Sequence, residues 1–324
     1  MKFKAAFLLS LFVCLSALNA FAWNNTGHET VAELAWRNLS ASRRNAISAL
    51  LKQHPHYALL LATNVPKNVD TNEWVFLKAA TWPDMVRPAM PGRPAKPVSI
   101  TMYHHGEWHF INYPYLWPAD AAHFATASFP LAPTNILWAL TNAVNTLKNS
   151  HASAPDKAVS LCWVLHLVGD LHQPLHNVKM ISTNYPTGDS GGNALAVAEP
   201  GNKPVKFHAY WDDLLGGGES YTFIATVADN IENTPKYAPG KIKGYKNHKT
   251  FASWSDESVA DAEAFAYAEG QLPFADWSDY DSHKITAADV PVLPLSYVNA
   301  ANDTALRRVS LAGKRLADTL KKVF

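Results

Sequence analysis

The sequence predicts a mainly α-helical single domain carrying a small β-hairpin, and three observations carry that expectation. Long segments place apolar residues at helical spacing, while strand-like alternation is confined to short runs. The composition, 48% hydrophobic and 17% charged, is that of a chain that buries a core. Neither an internal repeat nor a long linker asks for a second domain.

Residues 1–22 read as a secretory signal. Lys2 and Lys4 precede an apolar run from Ala5 to Leu18, and Ala20-Phe21-Ala22 supplies a small-x-small cleavage site, so that Trp23 becomes the new N-terminus. No segment has the ~20 uninterrupted apolar residues of a membrane span. The expectation is an exported chain, periplasmic or secreted, without membrane insertion, in which residues 23–324 form one domain. Cys14 is lost with the signal and only Cys162 remains, so no intrachain disulfide can form. Size and metal are then the available staples.

Along the mature chain, Thr26-Gly27-His28-Glu29 fits a capping box ahead of Val31, Leu34, Ala35 and Leu39. Further helices are expected over Ser42 to Gln53, Thr134 to Asn149, Asp156 to His172, Glu257 to Ala268 and Asp303 to Val323. In the last, Leu306, Val309, Leu316, Leu320 and Val323 form one stripe, and Arg307, Arg308, Lys314 and Arg315 read as a solvated basic face. Strand is expected from Trp108 to Tyr113, and Ala194 to Ala198 and Val205 to Tyr210 flank a Pro-Gly-Asn turn as a hairpin. Pro83, Pro88, Pro91, Pro94 and Pro97 argue for a loop, at whose start sit Asp84 and Arg87.

The 28 Lys and Arg nearly balance the 27 Asp and Glu, and loss of Lys2 and Lys4 leaves 26 against 27. So even a balance argues against a long basic track for a polyanion, since phosphate-backbone affinity comes from lysine and arginine displacing counterions. It predicts a shallow salt dependence and little sequence specificity.

The chemistry lies in histidine and aspartate. In His166-Leu-Val-Gly-Asp170-Leu-His172-Gln-Pro-Leu-His176, positions four apart share a helix face, so His166 and Asp170 can grip one ion. Pro174 ends the helix and frees His176 to turn elsewhere. His172 is off that face and suits a supporting hydrogen bond. His208 and Asp212 repeat the four-residue spacing, on one face under helix and strand periods alike. His28, Asp84 and His109 add candidates, and nitrogen and carboxylate ligands without cysteine suit zinc, ahead of manganese or iron. His104 and His105 read as a solvated pair in a loop.

Taken in order, the N-terminal Trp23, Gly-His, Trp-x-Asp-x-x-Arg, His-Phe-Ile-Asn, His-x-x-Gly-Asp-x-His-Gln-Pro-x-His, Gly-Gly-Asn and His-x-x-Trp-Asp resemble the three-zinc, single-strand-preferring nucleases of the mung bean type. These nucleases belong to the nuclease and zinc-dependent phospholipase C superfamily. The resemblance implies that helical fold and three zinc ions. One would be held by Asp84, His109, His166 and Asp170, a second by the α-amine and carbonyl of Trp23 with His28 and the shared Asp170, and a third by His176, His208 and Asp212. It implies catalytic roles for Asp84, Arg87 and Asp170, with Arg87 neutralising charge at the transferring phosphate. Phe110 would stack on a base, and Asn112, where many relatives carry Asp, would meet a base edge. Single-stranded DNA and RNA are the implied substrates, 5′-phosphorylated fragments the products, and 3′-nucleotidase activity a further possibility, with no obligate protein partner. A phospholipase C acting on phosphatidylcholine-like lipids and a non-enzymatic exported zinc-binding protein are the competing readings. Against the lipase stand the short Trp23-to-His28 spacing and Arg87; against storage stands an aspartate shared by two open metal sites.

Overall fold

The computed structural model describes residues 23–89 and 94–324. Helices α1 (Asn25–Arg37), α2 (Ala41–Leu51) and α3 (Thr71–Met85) come first. A single turn, α4 (Val98–Thr101), leads to strand β1 (Tyr113–Leu116), followed by α5 (Ile136–Lys148) and α6 (Ala154–His172). Strands β2 (Val178–Ile181), β3 (Leu195–Val197) and β4 (Val205–Lys206) run into α7 (Phe207–Asp212) and α8 (Tyr221–Glu232). Helix α9 (Phe251–Asp261), strand β5 (Ala275–Asp276), α10 (Trp277–Asp281) and α11 (Leu295–Leu320) close the order. The signal segment, residues 1–22, and positions 90–93 of the Pro-rich stretch lie outside the described residues. No helix among the described residues is long and apolar enough to cross a membrane.

Mainly helical architecture is what the periodicity predicts, and α6 is its axis. Every residue from Leu161 to His172 is buried, so this helix is enclosed on all sides by α1, α2, α3, α5, α9 and α11. Ser153 caps its start by accepting from the Asp156 N–H, and Pro174 opens a new 3₁₀ turn beyond its end. The expected hairpin forms as β3 against β4, and β3 also pairs with β5. Strands β1 and β2 run parallel, a pairing for which nothing in the local sequence gives a signal.

Several elements depart from expectation. The first helix starts two residues early, capped by Asn24, so Thr26 and Glu29 form no capping box. They lie inside the buried helix, where Glu29 pairs with Lys78 at 2.6 Å and Thr26 donates to the Gly218 carbonyl. Pro83 does not exclude helix: α3 runs through it and ends two residues later, so the missing donor leaves only the Ala79 carbonyl without its helical partner, in the last turns. The Trp108 to Tyr113 strand is replaced by a 3₁₀ turn, Gly106–His109, with β1 beginning only at Tyr113. Asn112 breaks the extended run with φ of 61°, a left-handed backbone that asparagine tolerates. Chain after Lys206 is helical, so His208 and Asp212 share a helix face.

The basic face of the last helix is also corrected. Arg308 and Arg315 are only 2% and 3% exposed. Glu257 on α9 receives Arg315 at 2.6 and 3.0 Å and Arg308 at 3.2 Å. Arg308 Nε also donates to the His172 carbonyl, and Arg315 Nη1 to His172 Nε2 at 2.9 Å. His172 thus supports the packing of α11 rather than a metal. Burial, with Arg308 and Arg315 beside it, holds this ring well below the usual histidine range.

His54 provides a pH signature. Its ring stands edge-on to Trp82, its Nδ1 accepts from the His56 N–H, and its Nε2 is buried without a partner. Burial, aided by the neighbouring His56, pushes its pKa down to about 3. The unfolded chain takes up this proton at about 6.5. The stabilisation is therefore present above that pH and fades as pH falls towards 3, by roughly 1.4 kcal/mol per unit. Urea unfolding of His54→Gln should lose stability less steeply between pH 6 and 4 than the parent; identical slopes would show that His54 does not control this range.

Candidate metal centre

The expected side-chain ligands come from six separate elements. His28 lies on α1, Asp84 on the last turn of α3, His109 ends the 3₁₀ turn, and His166 and Asp170 sit one turn apart on α6. His176 follows the α6 terminus, and His208 and Asp212 lie on α7. Around Asp170 the atoms crowd: His28 Nε2 stands 3.2 Å from Oδ1, while His109 Nδ1 and His166 Nε2 stand 3.0 and 3.1 Å from Oδ2. Asp84 Oδ1 is 3.8 Å from His166 Nε2. In the second cluster His208 Nε2 is 3.5 Å from Asp212 Oδ2 and 3.2 Å from His176 Nε2.

Three groups result: His28, His166 and Asp170; Asp84, His109 and His166; and His176, His208 and Asp212. The donor atoms fit a cation. His166, His176 and His208 each turn Nδ1 to a backbone carbonyl, of Ala80, His109 and Gly191, at 2.8, 2.6 and 2.6 Å. A carbonyl only accepts, so in the neutral ring Nδ1 carries the hydrogen and Nε2 presents a lone pair to the cluster. His28 Nε2, Asp170 Oδ1 and Asp212 Oδ2 are buried and form no hydrogen bond. Lone pairs facing each other at these distances repel unless a cation lies between them.

Electrostatics follow the crowding. Burial opposes ionisation of Asp170, but His166 and His176 outweigh it and hold the carboxyl well below its usual range. Asp212 has weaker compensation, and burial pushes it well up. Burial, with Arg87 nearby, pushes His109 down to about 3. Arg87 Nη2 lies 2.7 Å from Asp84 Oδ1, so the Pro-rich stretch begins at the centre rather than away from it.

Sequence reasoning passed over three supporting residues. Gly169 lets α1 approach α6: a Cβ there would lie 2.8 Å from His28 Nδ1, and His28 and His166 stack at 3.9 Å beside it. Gln173 donates to Asp212 Oδ1 at 2.7 Å and fixes that carboxylate. Buried Asp189 accepts from the N–H groups of Met180, Gly191 and Gly192 and from the Tyr267 hydroxyl, shaping the turn whose Gly191 carbonyl receives His208. Gly191 adopts φ of 63°, and a Cβ there would meet the Leu175 carbonyl at 2.7 Å. The Asp-Ser-Gly-Gly run was the available signal for this turn.

Trp23 is fully buried, its indole N–H donating to the Gly169 carbonyl at 3.1 Å, while the next residue's N–H donates to the Asp212 carbonyl. A cavity of about 390 Å³ is lined by Trp23, Asp84 and Asp212 and so joins the two clusters. Phe110 is half-buried in extended backbone and Asn112 half-buried beside it.

A helical scaffold that brings three histidine–aspartate groups together beside one cavity is an arrangement that could hold metal ions through nitrogen and oxygen ligands. The family model for the S1/P1 nucleases matches residues 23–324. The chain belongs to that family. Among its relatives, Nuclease S1 of Aspergillus oryzae is 26% identical over 240 residues, covering 73% of this chain and 68% of the relative. Endonuclease 2 of Arabidopsis thaliana is 22% identical over 98% of this chain and 96% of its own. Nuclease P1 of Penicillium citrinum is 25% identical over 57% and 65% respectively.

Proposed function

We propose that this chain is an exported, zinc-dependent phosphodiesterase that hydrolyses single-stranded DNA and RNA to 5′-phosphorylated products, with 3′-nucleotidase activity as a companion. The carrying observation is the convergence of three histidine–aspartate groups, in which His28 Nε2, Asp170 Oδ1 and Asp212 Oδ2 are buried without a hydrogen bond, beside a cavity that Asp84 and Asp212 line. Asp84, His109, His166 and Asp170 are the ligands of one ion; the Trp23 α-amine and carbonyl, His28 and Asp170 those of a second; His176, His208 and Asp212 those of a third. When bound, the zinc ions supply Lewis acidity, which lowers the pKa of water from 15.7 to roughly 7, and positive charge for the phosphate.

The protein's own groups do the rest. Arg87, held beside Asp84, offers a planar cation whose fork matches phosphate oxygens and stabilises charge as it develops. Phe110 provides a ring for a base, a contact worth about 1–3 kcal/mol and nearly blind to base identity. Asn112 both donates and accepts at a base edge. Gln173 and the carbonyls of Ala80, His109 and Gly191 hold ligand side chains in one orientation, which limits the reorganisation left for the reaction.

The test is incubation of the mature protein with single-stranded DNA, RNA and phosphatidylcholine, with and without chelator. Chelator-sensitive release of 5′-mononucleotides is expected. Lipid cleavage alone, or nucleic-acid cleavage indifferent to chelator, would overturn the proposal.

Trp23 yields a separate prediction. A free α-amine titrates near ~8 and can lose its proton to a cation, whereas the acylated nitrogen of an uncleaved precursor cannot bind in this way. Extending the mature chain by one residue before Trp23 is expected to lower both zinc occupancy and activity. Full occupancy and activity in the extended chain would refute the ligand role of the amine.

A further inference from the structure

The near-neutral composition conceals a segregation of charge. Residues 233–255 contain five lysines and no carboxylate. They fold against the C-terminal end of α11, where Lys314, Arg315, Lys321 and Lys322 stand against a single acid, Asp318. Between the two segments lies a groove of about 590 Å³, lined by Lys246, Lys249, Lys321 and Lys322 and walled by Tyr245 and Trp254. Asp318 is engaged by Lys314 and Lys321, and Arg315 by Glu257. Lys246, Lys249 and Lys322 are exposed and have no carboxylate within 4.0 Å among the described residues.

This groove is separate from the metal centre. His172 touches its floor, contacting Trp254 with ring centroids 5.5 Å apart and accepting from Arg315. Asp170 is two residues away on α6 and therefore about 200° around the helix axis. The groove and the metal cluster thus sit on opposite sides of α6, apart by roughly a helix diameter of 10–12 Å.

We propose that this lysine-lined groove is a second docking site for nucleic acid, holding phosphates of a single strand whose cleavage occurs at the metal centre. The inference rests on the nuclease reading above. Concentrated, unneutralised ammonium groups match the regular negative charge of a phosphate backbone, and displacement of its counterions supplies the affinity. A concave groove admits a strand and not a flat bilayer, and none of the exposed large apolar residues lies in either segment, as membrane docking would need. Because α6 is enclosed by its neighbours, only substrates long enough to run over the protein surface between the groove and the metal centre can use both sites, so the groove acts on polynucleotides and leaves dinucleotides unaffected.

The experiment compares the mature, metal-loaded protein with the triple variants Lys246→Glu/Lys249→Glu/Lys322→Glu and Lys246→Gln/Lys249→Gln/Lys322→Gln. The probe is a fluorescent, nuclease-resistant phosphorothioate oligothymidylate followed by anisotropy across a salt series. The parent's logarithmic affinity-against-salt slope should shrink by about 2 in both variants, close to 0.7 for each lost phosphate contact. Affinity at low salt should fall at least tenfold in the glutamate variant, while dinucleotide hydrolysis keeps its kcat/KM. An unchanged slope overturns the docking site, as does a variant that loses binding to anionic phosphatidylserine vesicles while keeping its oligonucleotide affinity. Failure of the parent to hydrolyse a dinucleotide would overturn the nuclease reading instead, a result that the binding series does not depend on.

Discussion

Asp170→Ala is expected to reduce hydrolysis of single-stranded DNA by at least about 1000-fold, the effect of removing several kcal/mol of metal-supplied stabilisation. Asp170 is fully buried and its two oxygens face different neighbours, His28 on one side and His109 with His166 on the other. In the proposed ligand sets Asp170 serves two ions, so loss of this carboxylate should lower metal content together with turnover. Elemental analysis alongside kcat checks this, and a melting curve confirms that the variant is folded. Turnover within tenfold of the parent at unchanged metal content would mean that the two groups do not share Asp170.

Glu257→Ala is expected to have the largest effect on stability. It leaves Arg315 buried without its carboxylate and Arg308 with Asp261 alone, 3.5 Å from its Nε, a loss of about 3–5 kcal/mol. Burial opposes ionisation of Glu257, but Arg315 and Arg308 outweigh it, so its pKa is lowered. A lowered carboxylate stabilises the fold above its unfolded pKa, and this support is lost as pH falls through the folded value. Denaturant titration should therefore show the deficit at neutral pH and a narrowing gap between variant and parent in acid. A deficit below about 1 kcal/mol at pH 7, the range of an exposed pair, would show that the arginines reach water when Glu257 is gone.

The contrast between these two sites explains what could be read in advance. His166 and Asp170, and likewise His208 and Asp212, are paired by helical spacing, a local property that the order of residues carries directly. The end of α6 at Pro174 and the β3–β4 hairpin are local in the same sense. The expected ligands for which no local pairing exists, His28, Asp84 and His109, became credible through their order along the chain and its resemblance to known nucleases.

Position between elements was another matter. Nothing near Arg308 or Arg315 distinguishes them from the solvated cations of an amphipathic helix; their burial follows from α9 laying Glu257 across that face. Pro83 looked like a helix breaker among its neighbouring prolines, yet α3 carries through it, and the Ala80 carbonyl beside it receives His166 from 86 residues away. Asp189 and Gln173 became site residues only when long-range packing brought their turns to His208 and Asp212. The balanced charge count pointed away from a basic track, yet folding sets Lys246 and Lys249 against Lys321 and Lys322 at the end of α11. Periodicity determines the mainly helical class and the His-x-x-x-Asp pairs, because both are set by neighbours within a few residues. Which carboxylate meets which cation depends on chain segments far apart in sequence, and that is decided by how the helices pack around α6.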